Sequence, residues 1–206
     1  MSKALEILMD EHRAIERVLG SLDTFAEGLD EIADPRPALR DYGRFFREFA
    51  DRCHHAKEED RLFVEMERHG FPREQGPIAV MLNDHVEGRA HVGGIAKMGE
   101  GSGPLSEQER AKVRYHVRSY VPLLLAHIMK EDSVLYPMAG QALPASVMAA
   151  LDREFEENER LAIGAGTHEE LHRLAERLIA NYPPADAVAA GSSCFGCSAH
   201  AEEVER

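Results

Sequence analysis

The sequence predicts an all-α protein: an antiparallel up-down-up-down four-helix bundle, two short C-terminal helices and a flexible tail. Three observations carry this. Trp is absent and β-branched runs are scarce, while Ala, Leu, Glu and Arg are plentiful, so helix is favoured throughout. Apolar residues recur at the 3-4 spacing of bundle helices. His12, His55, His85 and His127 fall at near-even intervals. Their midpoints, near residues 33, 70 and 106, lie in or beside the breaker segments ADPRP, HGFP and GEGSGPLS. A chain that folds back at each breaker brings the four histidines level in one plane.

The elements follow in order. A first helix over about 2–29 carries the seam Leu5, Leu8, His12, Ile15, Leu19, Leu22, with His12 where an apolar residue is expected. Asp34-Pro35-Arg36-Pro37 turns the chain. A second helix over about 38–69 stops at Gly70 with Pro72 beyond. At about 100° per residue, His55 shares a face with Leu62 and Met66, and Glu59 lies about 40° away. On the same wheel His54 points about 100° off and is expected to face water, with Cys53 beside it away from the core. A third helix over about 74–98 turns Ile78, Leu82, His85, Val92, Ala96 and Arg89 inward; His91 and His69 read as surface residues. Ser106 and Glu109 make a capping box, with Leu105 as staple, for a fourth helix. This helix is expected to kink at Pro122 and stop at Pro137. Shorter helices follow over about 144–161 and 168–181, the second capped by Thr167 and Glu170. These spans give a bundle domain over 1–140, a helical extension over 141–182 and a tail over 183–206.

The 206 residues, 44% of them apolar, suffice for one sizeable core. A net charge of −13 argues against nucleic acid or an anionic membrane as partner. No stretch reaches the ~20 apolar residues of a membrane helix. The N-terminus alternates apolar and charged residues too quickly for a signal peptide. Three cysteines form no disulfide framework, which places the chain in the cytoplasm.

His55 and Glu59, and likewise His127 and Glu131, stand one turn apart on a single helix face. With His12 and His85 they bring four imidazoles and two carboxylates into the bundle. Two unpaired buried carboxylates would cost several kcal/mol each without a cation. A carboxylate can bridge two cations, so a dinuclear site is the natural reading; two bridging carboxylates favour iron or manganese, with zinc less suited.

DEHRAIERVL, HHAKEEDRLF, MLNDHVEGR and HIMKEDSVLYP, spread over residues 1–140, resemble the hemerythrin-like or HHE cation-binding domain in order and spacing. The resemblance implies a four-helix bundle holding two iron ions (Fe2+/Fe3+) joined by an oxo or hydroxo bridge. It makes His12, His55, His85 and His127 terminal ligands, with Glu59 and Glu131 as bridges. Arg89 stands where oxygen-carrying hemerythrins have a fifth histidine, and Asp132 lies about 140° from His127. The four-histidine, two-glutamate set leaves an open position. It points to binding or sensing of O2, NO or peroxide in stress response or iron handling. The alternative is an enzyme of the same centre, acting in peroxide or NO detoxification or in iron–sulfur cluster repair. A helical interaction protein with structural histidines is the bland reading.

Glu16, Arg89 and Tyr120 are candidate neighbours of the ligands. His168-Glu169-Glu170-Leu171-His172 matches the HExxH of zinc proteases but lacks a third ligand. Cys194 and Cys197, with His200, form a candidate redox or metal tail, for which a redox partner or self-association is expected.

Overall fold

The computed structural model describes residues 2–161 and 164–185, so the Cys194, Cys197 and His200 tail lies outside the described residues. All regular structure among them is helical. We number six helices. α1 is Lys3–Glu27. α2 covers 36–68 and is composite: an α stretch Arg36–Phe45, a π stretch Phe46–His55, a π turn Glu58–Leu62 and an α end Phe63–Arg68. α3 is Gly76–Gly99. α4 covers 107–142, with a π turn at Glu131–Leu135 between Glu107–Lys130 and Tyr136–Ala142. α5 is Ala145–Leu161 and α6 is Gly164–Asn181. No described helix is long and apolar enough to cross a membrane.

The ends obey local chemistry. The Ser2 hydroxyl accepts from the Leu5 N–H to open α1. Gly70, at φ 98°, closes α2 in a conformation only glycine adopts cheaply. Ser106 and Glu109 form the full capping box at the start of α4. Two boundaries differ from expectation. α4 runs past Pro137 to Ala142, because the π turn restarts the hydrogen-bond register and Pro137 falls in the first turn of the next α stretch, where a missing N–H costs little. α6 begins at Gly164, earlier than expected, so Thr167 falls within its span.

Contacts across α1 and α2, and across α2 and α3, run in opposite numerical sense. Ser21 meets Tyr42 (2.7 Å) and Glu11 meets His54 (2.9 Å) across α1 and α2. Arg40 donates to the Gly99 carbonyl (2.7 Å), while Glu59 accepts from His85 (2.7 Å), across α2 and α3. Asp84 meets Lys130 (2.5 Å) where α3 passes α4, and His12 meets Asp132 (2.8 Å) where α1 passes α4. The α2–α3 approach is close enough that a Cβ at Gly43 would fall 2.8 Å from the Ala96 Cβ.

The core is in two parts. One apolar cluster holds Ile15, Leu19, Leu22, Phe25, Phe45, Phe49 and Val117, and α6 covers it with Leu171, Leu174 and Leu178. The other holds Leu5, Leu8, Phe63, Met66, Ile78 and Tyr136, and α5 covers it with Met148, Leu151 and Phe155. Burying one large apolar side chain contributes about 1.5–3 kcal/mol. Between the clusters, His12, Glu58, His85, His127 and Glu131 form a polar layer as dry as the core, each at most 1% exposed.

Arg36 locks the loop before α4. Its guanidinium donates to the carbonyls of Met98 and Glu100 (2.8 Å each) and Gly103 (2.9 Å), and to the Glu109 carboxylate (2.9 Å). The Ser106 N–H, with Arg36 and the Ser106 hydroxyl, holds the Glu109 carboxyl down at about 2. A depressed carboxyl stabilises the fold above its unfolded value and loses that effect as pH falls toward the folded one. Glu109→Gln should therefore lower the urea midpoint at pH 7. Its difference from wild type should shrink as pH falls from about 4.3 toward about 2. A difference independent of pH would show that the charge contributes nothing.

Candidate metal centre

Four helices feed the polar layer. α1 brings His12, α2 brings His54, His55 and Glu58, α3 brings His85, and α4 brings His127 and Glu131. Their ligand atoms fall into two groups, each within 4.8 Å: His55, Glu58, His85 and His127, and His12, His54, Glu58 and Glu131. Glu58 belongs to both. The Nε2 atoms of His12 and His127 stand 3.3 and 3.1 Å from Glu131 Oε2, and His85 Nε2 stands 3.4 Å from Glu58 Oε2. All seven side chains are buried, His55 being the most exposed at 6%.

The layer is unfinished as protein chemistry. Both Glu131 oxygens, Glu58 Oε2 and His54 Nε2 have no hydrogen-bond partner. Buried polar atoms are nearly always satisfied, so four orphans converging in one place mark a missing positive group. Only Glu58 Oε1 is answered, by the Tyr136 hydroxyl (2.7 Å). Carboxylate oxygen and imidazole nitrogen together suit iron, manganese or zinc, so these residues fit a pair of such cations.

Behind the imidazoles stands a ring of carboxylates. His12 Nδ1 meets Asp132 (2.8 Å), His54 Nδ1 meets Glu11 (2.9 Å), and His85 Nδ1 meets Glu59 (2.7 Å). His127 Nδ1 lies 3.3 Å from Asp84, and His55 Nδ1 lies 3.5 Å from Asp51. Such partners fix the tautomer, aim the other nitrogen inward and raise its basicity. Each carboxylate is held in turn by a cation: Asp132 by Arg13, Glu11 by Lys57, Asp84 by Lys130, and both Asp51 and Glu59 by Arg89 (2.7 Å each).

The profile of the hemerythrin HHE cation binding domain matches residues 3–139. The chain belongs to this family. An uncharacterized protein of Mycobacterium tuberculosis and another of Mycobacterium bovis are each 24% identical over 178 residues. The alignment covers 84% of this chain and 68% of each relative. No solved structure matches the chain.

Within this HHE domain the layer holds His12, His55, His85, His127 and Glu131 from the expected set, and it differs at two places. Glu59 joins neither group; Glu58 occupies the inner position, and Glu59 bonds His85 Nδ1 and Arg89. His54, expected to face water, is 1% exposed and points into the centre. The reason is the π geometry of α2. A π turn takes more residues per revolution than an α turn, so a wheel drawn at a constant angle drifts across Phe46–Leu62. The drift brings both histidines and the earlier glutamate inward. A readable signal was present in the doubled HHxxEE, where His54 and Glu58 are themselves four apart.

The neighbours sort differently too. Glu16 is half-buried and pairs with Arg13 (2.8 Å). Tyr120 is 2% exposed and makes an edge contact with Phe46. Cys53 is buried, its Sγ 3.7 Å from Glu11, and His91 is buried as well, both against expectation. His172 of the HExxH segment packs its ring against Phe49, 5.5 Å away, as a structural contact. A cavity of about 190 Å³ reaches the layer at His55; Phe46, Val92, Gly93, Tyr120 and Leu124 line it, and Arg89 with Asp51 borders it.

Electrostatics repeats the incompleteness. Burial and the neighbouring Glu131 charge push the Glu58 carboxyl well up. Burial would raise Glu131 too, but His127 and His12 hold it well below the usual range. Burial opposes a charge on His127, yet Glu131 and Asp84 lift it to about 9. Against burial, Asp132 and Glu131 raise His12 as well. In the metal-free protein at pH 7 the His127 imidazole therefore carries a proton that metal uptake must release, so the apparent affinity rises with pH.

His54→Ala and Glu58→Ala should each abolish most metal binding as read by elemental analysis. Glu59→Ala should keep the metal and weaken its retention about 10–100-fold against a chelator. Equal loss in all three variants would overturn the π-shifted register.

Proposed function

We propose that this chain is a non-haem di-iron protein that binds or senses O2, NO or peroxide. On this reading four long helices form the up-down-up-down bundle, and residues 141–182 extend it. The observation that carries the proposal is the pair of four-residue ligand groups sharing Glu58, with Glu131 Oε2 placed between His12 and His127. One iron would be held by His55, His85 and His127 and the other by His12, His54 and Glu131, with Glu58 belonging to both groups. Two irons add to this fold direct coordination of a small ligand and exchange of electrons with it.

The side chains do the rest. The carboxylate ring holds each imidazole at one angle, which lowers the reorganisation needed when a ligand enters. The two apolar clusters keep bulk water from the layer, strengthening every charge interaction inside it. The Tyr136 hydroxyl donates to Glu58 and stands 3.3 Å from His12 Nε2, fixing that carboxylate's orientation.

Two features support binding of a small ligand. Each ligand group offers four side chains, fewer than the roughly six positions iron commonly fills, which is compatible with an incoming group at either position. The cavity at His55, about 190 Å³ with mainly apolar walls, admits a small uncharged molecule to the layer. A cytoplasmic role in oxidative or nitrosative stress, or in iron handling, follows from this reading.

The protein purified after iron-supplemented expression should contain about two irons per chain, the number the two ligand groups would hold. Its near-ultraviolet absorption should change on adding NO or azide. No iron, or iron that never responds to either ligand, would defeat the proposal; turnover of added peroxide would make the centre an enzyme's. Gly93 lines the cavity, and a Cβ there meets nothing within 4 Å. Gly93→Leu should therefore slow NO association in stopped flow with iron content unchanged. An unchanged rate would show that ligands arrive by another path.

A further inference from the structure

A second pair of histidines meets outside the buried layer. His91 on α3 and His116 on α4 face each other with their Nδ1 atoms 3.2 Å apart. His91 lies six residues beyond His85, about 9 Å along α3, and neither ring belongs to the two ligand groups of the centre. His91 is 8% exposed, and the His116 ring is half-buried. Exposed Tyr115 stands beside both, its ring 6.0 Å from His91 and 5.2 Å from His116.

The geometry is built, because residue 94 has no side chain. A Cβ at Gly94 would lie 2.2 Å from His116 Nε2, 2.4 Å from Cε1 and 2.6 Å from Cδ2. The His116 ring therefore rests flat on the α3 backbone and turns Nδ1 toward His91. On the far side of His91, Nε2 lies 3.9 Å from the Glu87 carboxylate, one turn earlier. Burial and the adjacent His91 both hold the His116 ring toward its neutral form, the form that ligates metal.

Two nitrogens on one tetrahedral zinc, each about 2.0–2.1 Å from it, are about 3.3 Å apart. The Nδ1 pair stands at that separation before any ion is present. We propose that His91 and His116 form a second, mononuclear site for zinc or a cation of similar preference on the α3–α4 face, completed by solvent. Imidazole nitrogen from two helices and partial exposure are what such an ion needs; the hard cations magnesium and calcium would not choose it. The proposal is independent of what the buried centre does.

The test uses the full chain, without an affinity tag, loaded with iron and carrying Cys194→Ser and Cys197→Ser so that the tail cannot take up zinc. Zinc is titrated in competition with a chromophoric chelator, and iron is measured in the same samples. One further zinc per chain should bind. His91→Ala and His116→Ala should each abolish that equivalent while iron content stays unchanged, which also reports an intact fold. Gly94→Ala keeps both ligands but displaces the His116 ring, and should weaken zinc about 10–100-fold. No further zinc, or a zinc equivalent undiminished when both histidines are replaced, would overturn the proposal and leave the pair as a hydrogen bond between neutral rings.

Discussion

Glu58 and Glu131, both fully buried, are the groups around which the rest of the molecule is arranged. Carboxylates taken out of water cost several kcal/mol each unless positive charge meets them. The structure answers in layers of alternating sign. Five imidazoles surround the two glutamates, five carboxylates stand behind the imidazoles, and Arg13, Lys57, Arg89 and Lys130 hold the carboxylates. The unsatisfied atoms gather toward the middle: three of the four glutamate oxygens have no donor, and among the imidazoles His54 Nε2 and His55 Nδ1 have no hydrogen-bond partner. A layered arrangement whose glutamate oxygens lack donors at the middle is preorganised for cations, and this links the HHE family membership to the chain's own atoms.

The same constraint accounts for the π turns. An α-helix presents one residue per turn to a given line, and the centre takes three side chains from α2 within five residues, His54, His55 and Glu58. Widening the helix across Phe46–His55 and Glu58–Leu62 allows this at the expense of ideal hydrogen bonding, and α4 widens likewise at Glu131. π segments concentrate at functional sites for this kind of reason. The two apolar clusters on either side supply the packing energy that holds such segments in place. They also explain the helices beyond the bundle: α5 covers one cluster and α6 the other, with Ser21 donating to the Leu178 carbonyl (3.0 Å) to fasten the second.

Much of this was legible in the chain. Periodicity, breakers and caps determine the number and order of helices, because these are local properties of backbone and side-chain chemistry. The spacing of His12, His55, His85 and His127 against the breakers determines that they meet, since successive histidines lie equally far from the turn between them. The HHE motifs determine the family and, with it, a cation site. What the tertiary structure alone decided is the register of α2. Whether His54 faces water, and whether Glu58 or Glu59 turns inward, depends on π turns that neighbouring helices stabilise and that no constant-angle wheel contains. The meeting of His91 with His116 was equally out of reach, because it rests on the missing side chain of Gly94 and the closeness of two helices distant in sequence. Rotation about a helix axis, and contact between helices, are settled by packing rather than by the local pattern of residues.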